Sequence, residues 1–439
     1  MKDRRRTVVE HRDVIVIGGG VAGLGVAPLL NGLRPYLRGD IPERLRAPQL
    51  AALLHATRDN LLRMDLSGAA RVGINSFDLF RLLHHPQKQY LGLDSYPMAF
   101  RQEDPLDWLL LTDDPVGGLW NDVARNQLTL SPAHWMEVSA FPIARFFDER
   151  EMNIDPDALI VKQNLVAYYH AVPQRLGLTD RIRVGWRVET MKRGQDERRR
   201  FALSVRHLDS GEVRDFTAES IIYAVGPRTK RRHLGVSGEF TQPYVIHHYD
   251  HFDELPGQRV LVVGGGRSAD WAATELHDAG RDVIYVMRQP AASHQRLIMN
   301  SQFLPYYVHI KDILQDRDRT IDTRYETHIR EFRDQGTVLL DQPNGQVELQ
   351  VDHAVLEIGA QPDYDLLAPW GNLSLADGHD PYRFQVPQMR VHPHSYESID
   401  IPGLYPAGFL AEGLGISVLS MHATCFPIVA DILAKKRSD

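Results

Sequence analysis

Residues 13–23 read DVIVIGGGVAG, an apolar run of strand length that breaks into three glycines and then opens a helical stretch. Gly18, Gly20 and Gly23 have the G-x-G-x-x-G spacing of a dinucleotide-binding turn. The glycines permit a tight turn between strand and helix, and they let the backbone approach a pyrophosphate at the positive end of the helix. A tight strand–helix turn without a ligand also fits one such motif taken alone.

Residues 259–269, RVLVVGGGRSA, repeat this pattern further along the chain. Gly264 and Gly266 hold the first two glycine positions, Ser268 follows in the turn, and Ala269 takes the third position. Two such motifs predict that two dinucleotides meet in one active site, an arrangement that mainly serves electron transfer from a nicotinamide to a flavin. We therefore predict an α/β fold with two nested Rossmann-like dinucleotide-binding domains, one for FAD and one for NADPH, and a helical insertion.

The composition indicates a globular protein and excludes several other classes. The chain has 439 residues, 43% of them apolar and 24% charged, so we expect two or three domains. A net charge of −7 argues against nucleic acid as a partner, and no apolar run reaches the roughly 18 residues of a membrane span. The basic run Lys2–Arg6 leads into the first glycine motif and not into a signal-peptide core, which predicts a cytoplasmic protein. Homo-oligomerisation stays open.

The chain has a single cysteine, Cys425. Disulfide reductases share the plan of two glycine motifs, but they need a pair of redox cysteines to pass electrons onward. Cys425 lies in an apolar run and fits a buried core residue. The sequence therefore favours a flavoenzyme without a dithiol relay.

The order of strand and helix patterns predicts that the second unit is nested inside the first. We expect an FAD-binding domain at residues 1–240 and an NADPH-binding domain at residues 241–352. The chain then returns to the FAD-binding domain at residues 353–439 and ends in a helix near residues 415–434.

An insertion at about residues 36–106 separates the first helix from the next strand, predicted at residues 107–112, and its stretch at residues 42–64 has apolar residues at helical spacing. An acid normally follows the second strand of such a unit and holds the ribose hydroxyls. Asp113 and Asp114 lie there, and either also fits a plain turn or helix cap. Three further glycines, at strand ends or before the last helix, are assigned to cofactor contact: Gly226, Gly359 and Gly408.

Arg288 indicates which nicotinamide dinucleotide the second site binds. It follows the strand-like run at residues 283–287, where an NAD site usually has an acid. An arginine there makes bidentate hydrogen bonds to a 2′-phosphate, which favours NADPH over NADH. A surface arginine at a strand end is the alternative interpretation.

The segment Gly117-Gly118-Leu119-Trp120 resembles the GG-x-W element of class B flavin-dependent monooxygenases, which lies against the flavin ring in that family. Residues 352–359 resemble the D-x-x-x-L-A-T-G motif of the N-hydroxylating branch, with Glu357-Ile358 in place of Ala-Thr. The family signature before the second glycine motif is reduced here to Ile246–Tyr249, which keeps a histidine but lacks the phenylalanine and glycine.

A longer resemblance is to the oxidative-stress-induced growth inhibitor family of flavoproteins. It rests on distinctive segments spread over most of the chain: residues 29–36, 115–120, 128–136, 167–169, 246–248 and 403–408. This resemblance implies an FAD- and NADPH-dependent monooxygenase that uses a C4a-(hydro)peroxyflavin and O2 to oxygenate a small-molecule substrate, with N-hydroxylation of an amine or amino acid favoured. A flavin reductase or dehydrogenase without oxygen insertion, and a regulatory flavoprotein, are the alternatives.

Catalytic side chains are less clearly marked than the cofactor sites. His247, His248 and Ser131 are the candidate neighbours of the reacting groups, and each also fits a structural role. The histidine pairs at residues 84–85 and 392–394 are not joined by a cysteine or an acidic cluster at ligand spacing. We therefore predict no metal site.

Overall fold

A computed structural model describes residues 9–85, 87–315, 321–377, 386–413 and 418–438. The basic run Lys2–Arg6 and the predicted start of the last helix near Gly415 lie outside these ranges. No helix within them is both long and apolar enough to cross a bilayer.

The helices are α1 Val21–Leu30, α2 Pro48–Ala56, α3 Leu66–Arg71, α4 Ser76–His84, α5 Leu119–Asp122, α6 Ile143–Glu149, α7 Lys162–Arg175, α8 Arg267–Asp278, α9 Ala291–Asn300, α10 Pro305–Gln315 and α11 Val418–Ser438. The strands are β1 Glu10–Ile17, β2 Leu33–Leu37, β3 Met98–Gln102, β4 Trp108–Thr112, β5 Ile182–Val184, β6 Trp186–Arg193, β7 Phe201–His207, β8 Val213–Tyr223, β9 Lys230–Arg231, β10 Val245–Ile246, β11 Arg259–Gly264, β12 Asp282–Val286, β13 Asp322–Arg324, β14 His328–Phe332, β15 Thr337–Gln342, β16 Gly345–Gln350, β17 His353–Glu357, β18 Ala360–Gln361, β19 Leu375–Asp377, β20 Pro387–Met389 and β21 Leu404–Pro406.

The first sheet is built around β1. Its described strands have the order β5-β4-β1-β8-β7-β6, and β21 also pairs with β8. Strands β5, β4, β1, β8 and β21 are parallel, whereas β6 and β7 are antiparallel additions. The β1 run is apolar at every position from Val14 to Ile17 because both faces of the sheet are covered. Val14 and Val16 pack in the core that contains α1 and α11, and Ile15 and Ile17 pack with β6 and β7.

The second sheet is parallel throughout, with the order β10-β17-β11-β12-β13. Helix α8 and its apolar face cover one side of the sheet. The antiparallel sheet β14-β15-β16 covers the other side. Both sheets therefore have the parallel, Rossmann-like core that the two glycine motifs predict, and the predicted fold class is confirmed.

The structure moves both predicted domain boundaries. Strand β17 at residues 353–357 was predicted to belong to the returning FAD-binding segment, but it pairs with β11 and β10 in the centre of the second sheet. Residues 234–240 were predicted to close the first domain, but Leu234 and Val236 pack in the core of the second. The crossings occur instead where β9 and β18 pair antiparallel, near residues 230 and 360.

The insertion is helical only in its middle. Helices α2, α3 and α4 lie between β2 and β3, and these two strands pair with each other, Leu33 opposite Gln102, rather than with the main sheet. The predicted helical insertion is confirmed, and the stretch predicted to be helical, residues 42–64, contains α2. Because β2 stands apart, β4 becomes the parallel neighbour of β1, with Val14 opposite Trp108.

Candidate functional site

One large cleft of about 1690 Å³ lies at the carboxyl ends of the parallel strands of both sheets. Ligands in doubly wound folds bind at this edge, where the strand order reverses. The cleft exceeds the 300–1,000 Å³ of a typical small-molecule site, as two dinucleotides require. Thirteen of the fifteen predicted cofactor-binding residues line it: Gly18, Gly20, Asp113, Gly117, Gly118, Trp120, Gly226, Gly264, Gly266, Ser268, Arg288, Gly359 and Gly408.

The first glycine turn has the geometry of a pyrophosphate cradle. A Cβ on Gly18 would lie 2.5 Å from the carbonyl oxygen of Ala224, and one on Gly23 would lie 2.1 Å from the carbonyl oxygen of Gly18. Gly20 precedes α1 and faces the cleft. Gly23 thus does not line the cleft; it lets α1 pack closely on the turn, while Gly20 leaves room for a ligand at the helix N-terminus.

The Gly117–Trp120 segment lies directly on this turn. The N–H of Gly117 donates to the carbonyl oxygen of Gly19 at 2.9 Å. Gly118 has φ +56°, and a Cβ there would lie 2.7 Å from the Cα of Gly20. The side chain of Asn121 holds the loop by donating to the carbonyl oxygen of Pro115 at 2.8 Å. The two glycine segments, far apart in sequence, therefore form one wall of the cleft.

The two candidate acids follow β4 and line the cleft. Asp113 accepts a hydrogen bond from Nε of Arg187 at 3.1 Å. The pKa of Asp114 is raised by burial and, next, by the neighbouring charge of Asp113. Because β4 is the parallel neighbour of β1, both acids lie at the carboxyl edge where a ribose-binding acid is expected.

The second glycine turn repeats the arrangement in the other sheet. A Cβ on Gly264 would lie 2.3 Å from the carbonyl oxygen of Glu357 and 2.7 Å from Cβ of Ala269. Ala269 is fully buried and, like Gly23, serves the packing of helix on turn. The side chain of Gln289, which the sequence analysis did not single out, donates to the carbonyl oxygen of Gly265 at 2.8 Å.

Arg288 stands at the mouth of this turn. The register of β11 with β12 places Val263 opposite Val286, so Arg288 emerges beside the glycine turn at the same edge. Its side chain is exposed and lines the cleft. It makes no ion pair or side-chain hydrogen bond with any residue in the ranges that the structure describes.

The segment at residues 352–359 divides into a structural part and a cleft part. The carboxylate of Asp352 accepts the N–H groups of Gln258 at 2.7 Å and Arg259 at 2.8 Å, and so ties the start of β17 to β11. Glu357, at the other end of the strand, lines the cleft and accepts the N–H of Tyr249 at 2.9 Å. Burial raises the pKa of Glu357. Sequence reasoning assigned this position to the motif without recognising its carboxylate as part of the site.

The structure does not bring the three catalytic candidates together. Ser131 lines the main cleft, whereas His247 and His248 line a smaller adjoining pocket of about 80 Å³. His247 stacks on Phe240, with ring centroids 5.0 Å apart, and its Nε2 lies 3.5 Å from Oε1 of Glu239. Burial lowers the pKa of His248, with Arg231 as the next cause, so the imidazole is neutral at neutral pH.

Both glycine turns fit a dinucleotide, because each presents a helix N-terminus and a backbone without side chains to one cleft. Gly226 and Gly359, at the two domain crossings, have open space within 4 Å of a built Cβ. The residues present thus fit FAD at the first turn and a nicotinamide dinucleotide at the second.

Residues 100–408 match the pyridine nucleotide-disulphide oxidoreductase family. The chain belongs to this family. The match contains the second glycine turn and the Gly117–Trp120 loop, and it covers more than half of the chain. As a family member the chain is an NADPH-dependent flavoprotein oxidoreductase with FAD and NAD(P)H as cofactors, and the predicted cofactors are confirmed.

Two curated relatives match almost the whole chain. The chain is 22% identical over 449 residues to human oxidative stress-induced growth inhibitor 2, covering 90% of this chain and 88% of the relative. It is 24% identical over 443 residues to mouse oxidative stress-induced growth inhibitor 1, covering 92% and 91%. The resemblance predicted from the sequence segments is thereby confirmed.

Solved structures show the same fold at low identity. The bacillithiol disulfide reductase of Staphylococcus aureus superposes with a TM-score of 0.66 at 18% identity, covering 98% of this chain and 100% of the other. The flavin-containing monooxygenase of Stenotrophomonas maltophilia gives 0.59 at 16% identity, covering 98% and 100%. The ornithine hydroxylase of Pseudomonas aeruginosa gives 0.59 at 13% identity, covering 97% and 99%.

The family name includes disulfides, but this chain has one cysteine. Cys425 is buried, and burial raises the pKa of its thiol. It lies against α1, where a Cβ on Gly25 would come within 2.6 Å of its Sγ. A relay between two thiols of the chain is therefore not available.

Proposed function

We propose that this oxidoreductase is an FAD- and NADPH-dependent monooxygenase that oxygenates a small molecule, with N-hydroxylation of an amine or amino acid as the favoured reaction. One observation carries the proposal: the Gly117–Trp120 loop lies on the first glycine turn, in the wall of a cleft that the second turn shares. This is the element whose sequence resembles the class B monooxygenases.

The chain divides binding between the two sheets. FAD would be held by Gly18 and Gly20, with Asp113 or Asp114 at the ribose, and NADPH by Gly264 and Gly266, with its 2′-phosphate on Arg288. When bound and reduced, the flavin supplies the electrons and the activation of O2.

The protein itself would orient the substrate and exclude water. The cleft wall beyond the GG-x-W loop carries Leu130, Ser131 and Trp135, an apolar surface with one hydroxyl. The half-buried Glu357 and the neutral His248 border the second nucleotide site from the side of the adjoining pocket. Such chemistry needs orientation more than proton transfer, which fits the separation of the three catalytic candidates.

The choice of a nitrogen acceptor rests on the resemblance of residues 352–359 to the N-hydroxylating motif. The ornithine hydroxylase shares the fold, which supports the same choice without extending to its substrate. Asp352 serves the strand pairing in this chain. The substrate is therefore to be sought by assay among amines and amino acids, with sulfur compounds as the comparison set.

Stopped-flow spectroscopy tests the oxygenase assignment. The FAD-loaded protein is reduced with NADPH without oxygen and then mixed with O2, and absorbance is followed through the flavin bands. We expect a species distinct from both reduced and oxidised flavin that persists while NADP+ is bound. Arg288→Gln should shorten its lifetime, because water enters as NADP+ leaves. Arg330→Gln, an exposed arginine of the same domain outside the cleft, should not.

A reductase without oxygen insertion is the second candidate, favoured by the superposition on a disulfide reductase. Direct return of the reduced protein to oxidised flavin, with hydrogen peroxide formed in proportion to NADPH, would favour it and contradict the oxygenase proposal. Protein that binds FAD but does not oxidise NADPH with any acceptor would instead indicate a regulatory flavoprotein.

A further inference from the structure

A buried cluster lies away from the cleft, between the helical insertion and the segment that follows Trp135. It consists of His84 and His85 at the end of α4 and Glu137, all three almost or fully inaccessible to solvent. No metal was predicted at this histidine pair, because no cysteine or acidic cluster joins it at ligand spacing. The fold supplies that acid from a distant segment.

The distances within the cluster are too long for hydrogen bonds and suit ligands of one ion. Nε2 of His84 lies 3.5 Å from Oε1 of Glu137, and Nε2 of His85 lies 4.0 Å from the same oxygen. Hydrogen bonds between nitrogen and oxygen span about 2.7–3.2 Å. Two ligands of a tetrahedral Zn²⁺ with bonds of about 2.1 Å are separated by about 3.4 Å. One ligand atom from each residue lies within 4.8 Å of the others.

The Glu137 carboxyl group is held in place at the centre of the cluster. Oε2 of Glu137 accepts the N–H of Ile143 at 2.9 Å, and the hydroxyl of Tyr96 lies within hydrogen-bonding reach of the same carboxyl group. Burying an ionised carboxylate is costly unless a positive charge compensates it. Oε1 is the atom that faces both imidazoles.

The surroundings complete a closed site. The ring of Tyr96 stacks on His84 with centroids 5.5 Å apart, and its buried hydroxyl faces the carboxyl group of Glu137. His134, next to the pair, has its Nδ1 engaged by the carbonyl oxygen of Pro156 at 2.9 Å. A fourth ligand can therefore be a water molecule beside Tyr96, and the ligand types, two imidazoles and a carboxylate, suit Zn²⁺.

We propose that His84, His85 and Glu137 bind a Zn²⁺ ion that joins the helical insertion to the wall of the cleft. Ser131 and Trp135, which line the cleft, precede Glu137 in the same segment. The ion would hold this segment against α4 and so fix the cleft wall, without taking part in the oxidation. The proposal does not depend on which reaction the cleft performs.

Zinc content tests the site. The FAD-loaded protein is incubated with Zn²⁺, desalted and measured by inductively coupled plasma mass spectrometry, and about one zinc per chain is expected. Glu137→Gln keeps an acceptor for the Ile143 N–H but removes the charge, and it should lose zinc by about tenfold or more. His392→Ala, from the exposed histidine pair, should retain it. Far-ultraviolet circular dichroism and FAD content check that each variant is folded.

Two measurements keep the test independent of variant folding. X-ray absorption at the zinc edge of the wild-type protein should show nitrogen and oxygen ligands at about 2.0–2.2 Å with imidazole scattering. A chelator should lower the melting temperature of the wild-type protein. Zinc far below one per chain after loading, equal zinc in the wild-type protein and a folded Glu137→Gln, or thiolate ligation would each overturn the proposal.

Discussion

Replacing Arg288 by glutamine should convert a preference for NADPH into near-indifference between NADPH and NADH. Arg288 emerges beside the second glycine turn, is exposed, and makes no ion pair with any residue in the described ranges. Its guanidinium does not have to leave a protein partner before it binds a phosphate. Hydrogen bonds to charged groups contribute about 1.5–3 kcal/mol each, and solvent screening at an exposed site favours the lower end.

That free energy sets the size of the effect. Since about 1.4 kcal/mol is a factor of ten, kcat/KM for NADPH should fall about 10- to 100-fold in Arg288→Gln. The fall should be in KM, because the 2′-phosphate lies far from the hydride and contributes equally before and during transfer. Values for NADH should change by less than about twofold. The kcat/KM of Arg288→Lys for NADPH should lie between those of the wild-type protein and Arg288→Gln. Lysine keeps the positive charge but cannot make two parallel hydrogen bonds to the phosphate.

The assay is steady-state oxidation of each nucleotide at saturating acceptor, at low and high salt. Arg330→Gln serves as the control, since Arg330 belongs to the same domain but forms an ion pair with Asp341 outside the cleft. Equal losses with NADPH and NADH would show that Arg288 supports the fold of the turn and not the phosphate. An unchanged preference for NADPH would show that another cation binds the phosphate.

Three further outcomes follow from other parts of the structure. Gly118→Ala should lower the FAD content of the purified protein, measured as the ratio of flavin to protein absorbance. A left-handed alanine costs about 1–2 kcal/mol, and its Cβ would lie 2.7 Å from the Cα of Gly20. An unchanged FAD content would refute the contact between the two glycine segments. Burial raises the pKa of Glu357, so the folded state holds the proton more tightly and wild-type stability falls as pH rises from about 4. The melting temperature of Glu357→Gln should therefore rise relative to that of the wild-type protein between about pH 4 and neutrality. A difference in melting temperature that is independent of pH would contradict this. Tyr307→Phe removes a hydrogen bond of 2.9 Å to the buried Asp270 and should destabilise the second domain by about 1–3 kcal/mol in thermal unfolding.

The fold was predictable where the signal is local. An apolar strand, a glycine turn and a helix follow one another within a few residues, so both glycine turns could be located from the sequence. Asp113 and Asp114 could be placed at the edge of the cleft, because they directly follow a buried strand, and their role at the ribose stays a prediction. Which sheet β17 joins is not a local property, since a run such as Ala354–Leu356 is equally apolar in either sheet. The domain boundary at residue 352 was wrong for that reason.

The site was predictable for residues inside a motif and not for those that the fold brings to it. Gln289 reaches back to Gly265 only because β12 lies beside β11. Glu357 occupies a position where the related motif has alanine, so the pattern gave no reason to expect a carboxylate in the cleft. His84, His85 and Glu137 meet only when the insertion folds onto the first domain. Each omission concerns a contact between segments that are distant in sequence.

The geometry restricts where electrons can leave the flavin. Both glycine turns open onto one cleft, so a nicotinamide and a flavin bound at them would share that cleft and its approach for substrates. In the disulfide reductases a pair of cysteines carries electrons onward, whereas here the single thiol is buried against α1 and is protonated at neutral pH. An acceptor must therefore enter the cleft itself, and the GG-x-W loop and the segment of Ser131 and Trp135 determine its shape. Access of O2 and substrate to this one cleft, more than any acid–base group, should govern whether reduction ends in oxygen transfer.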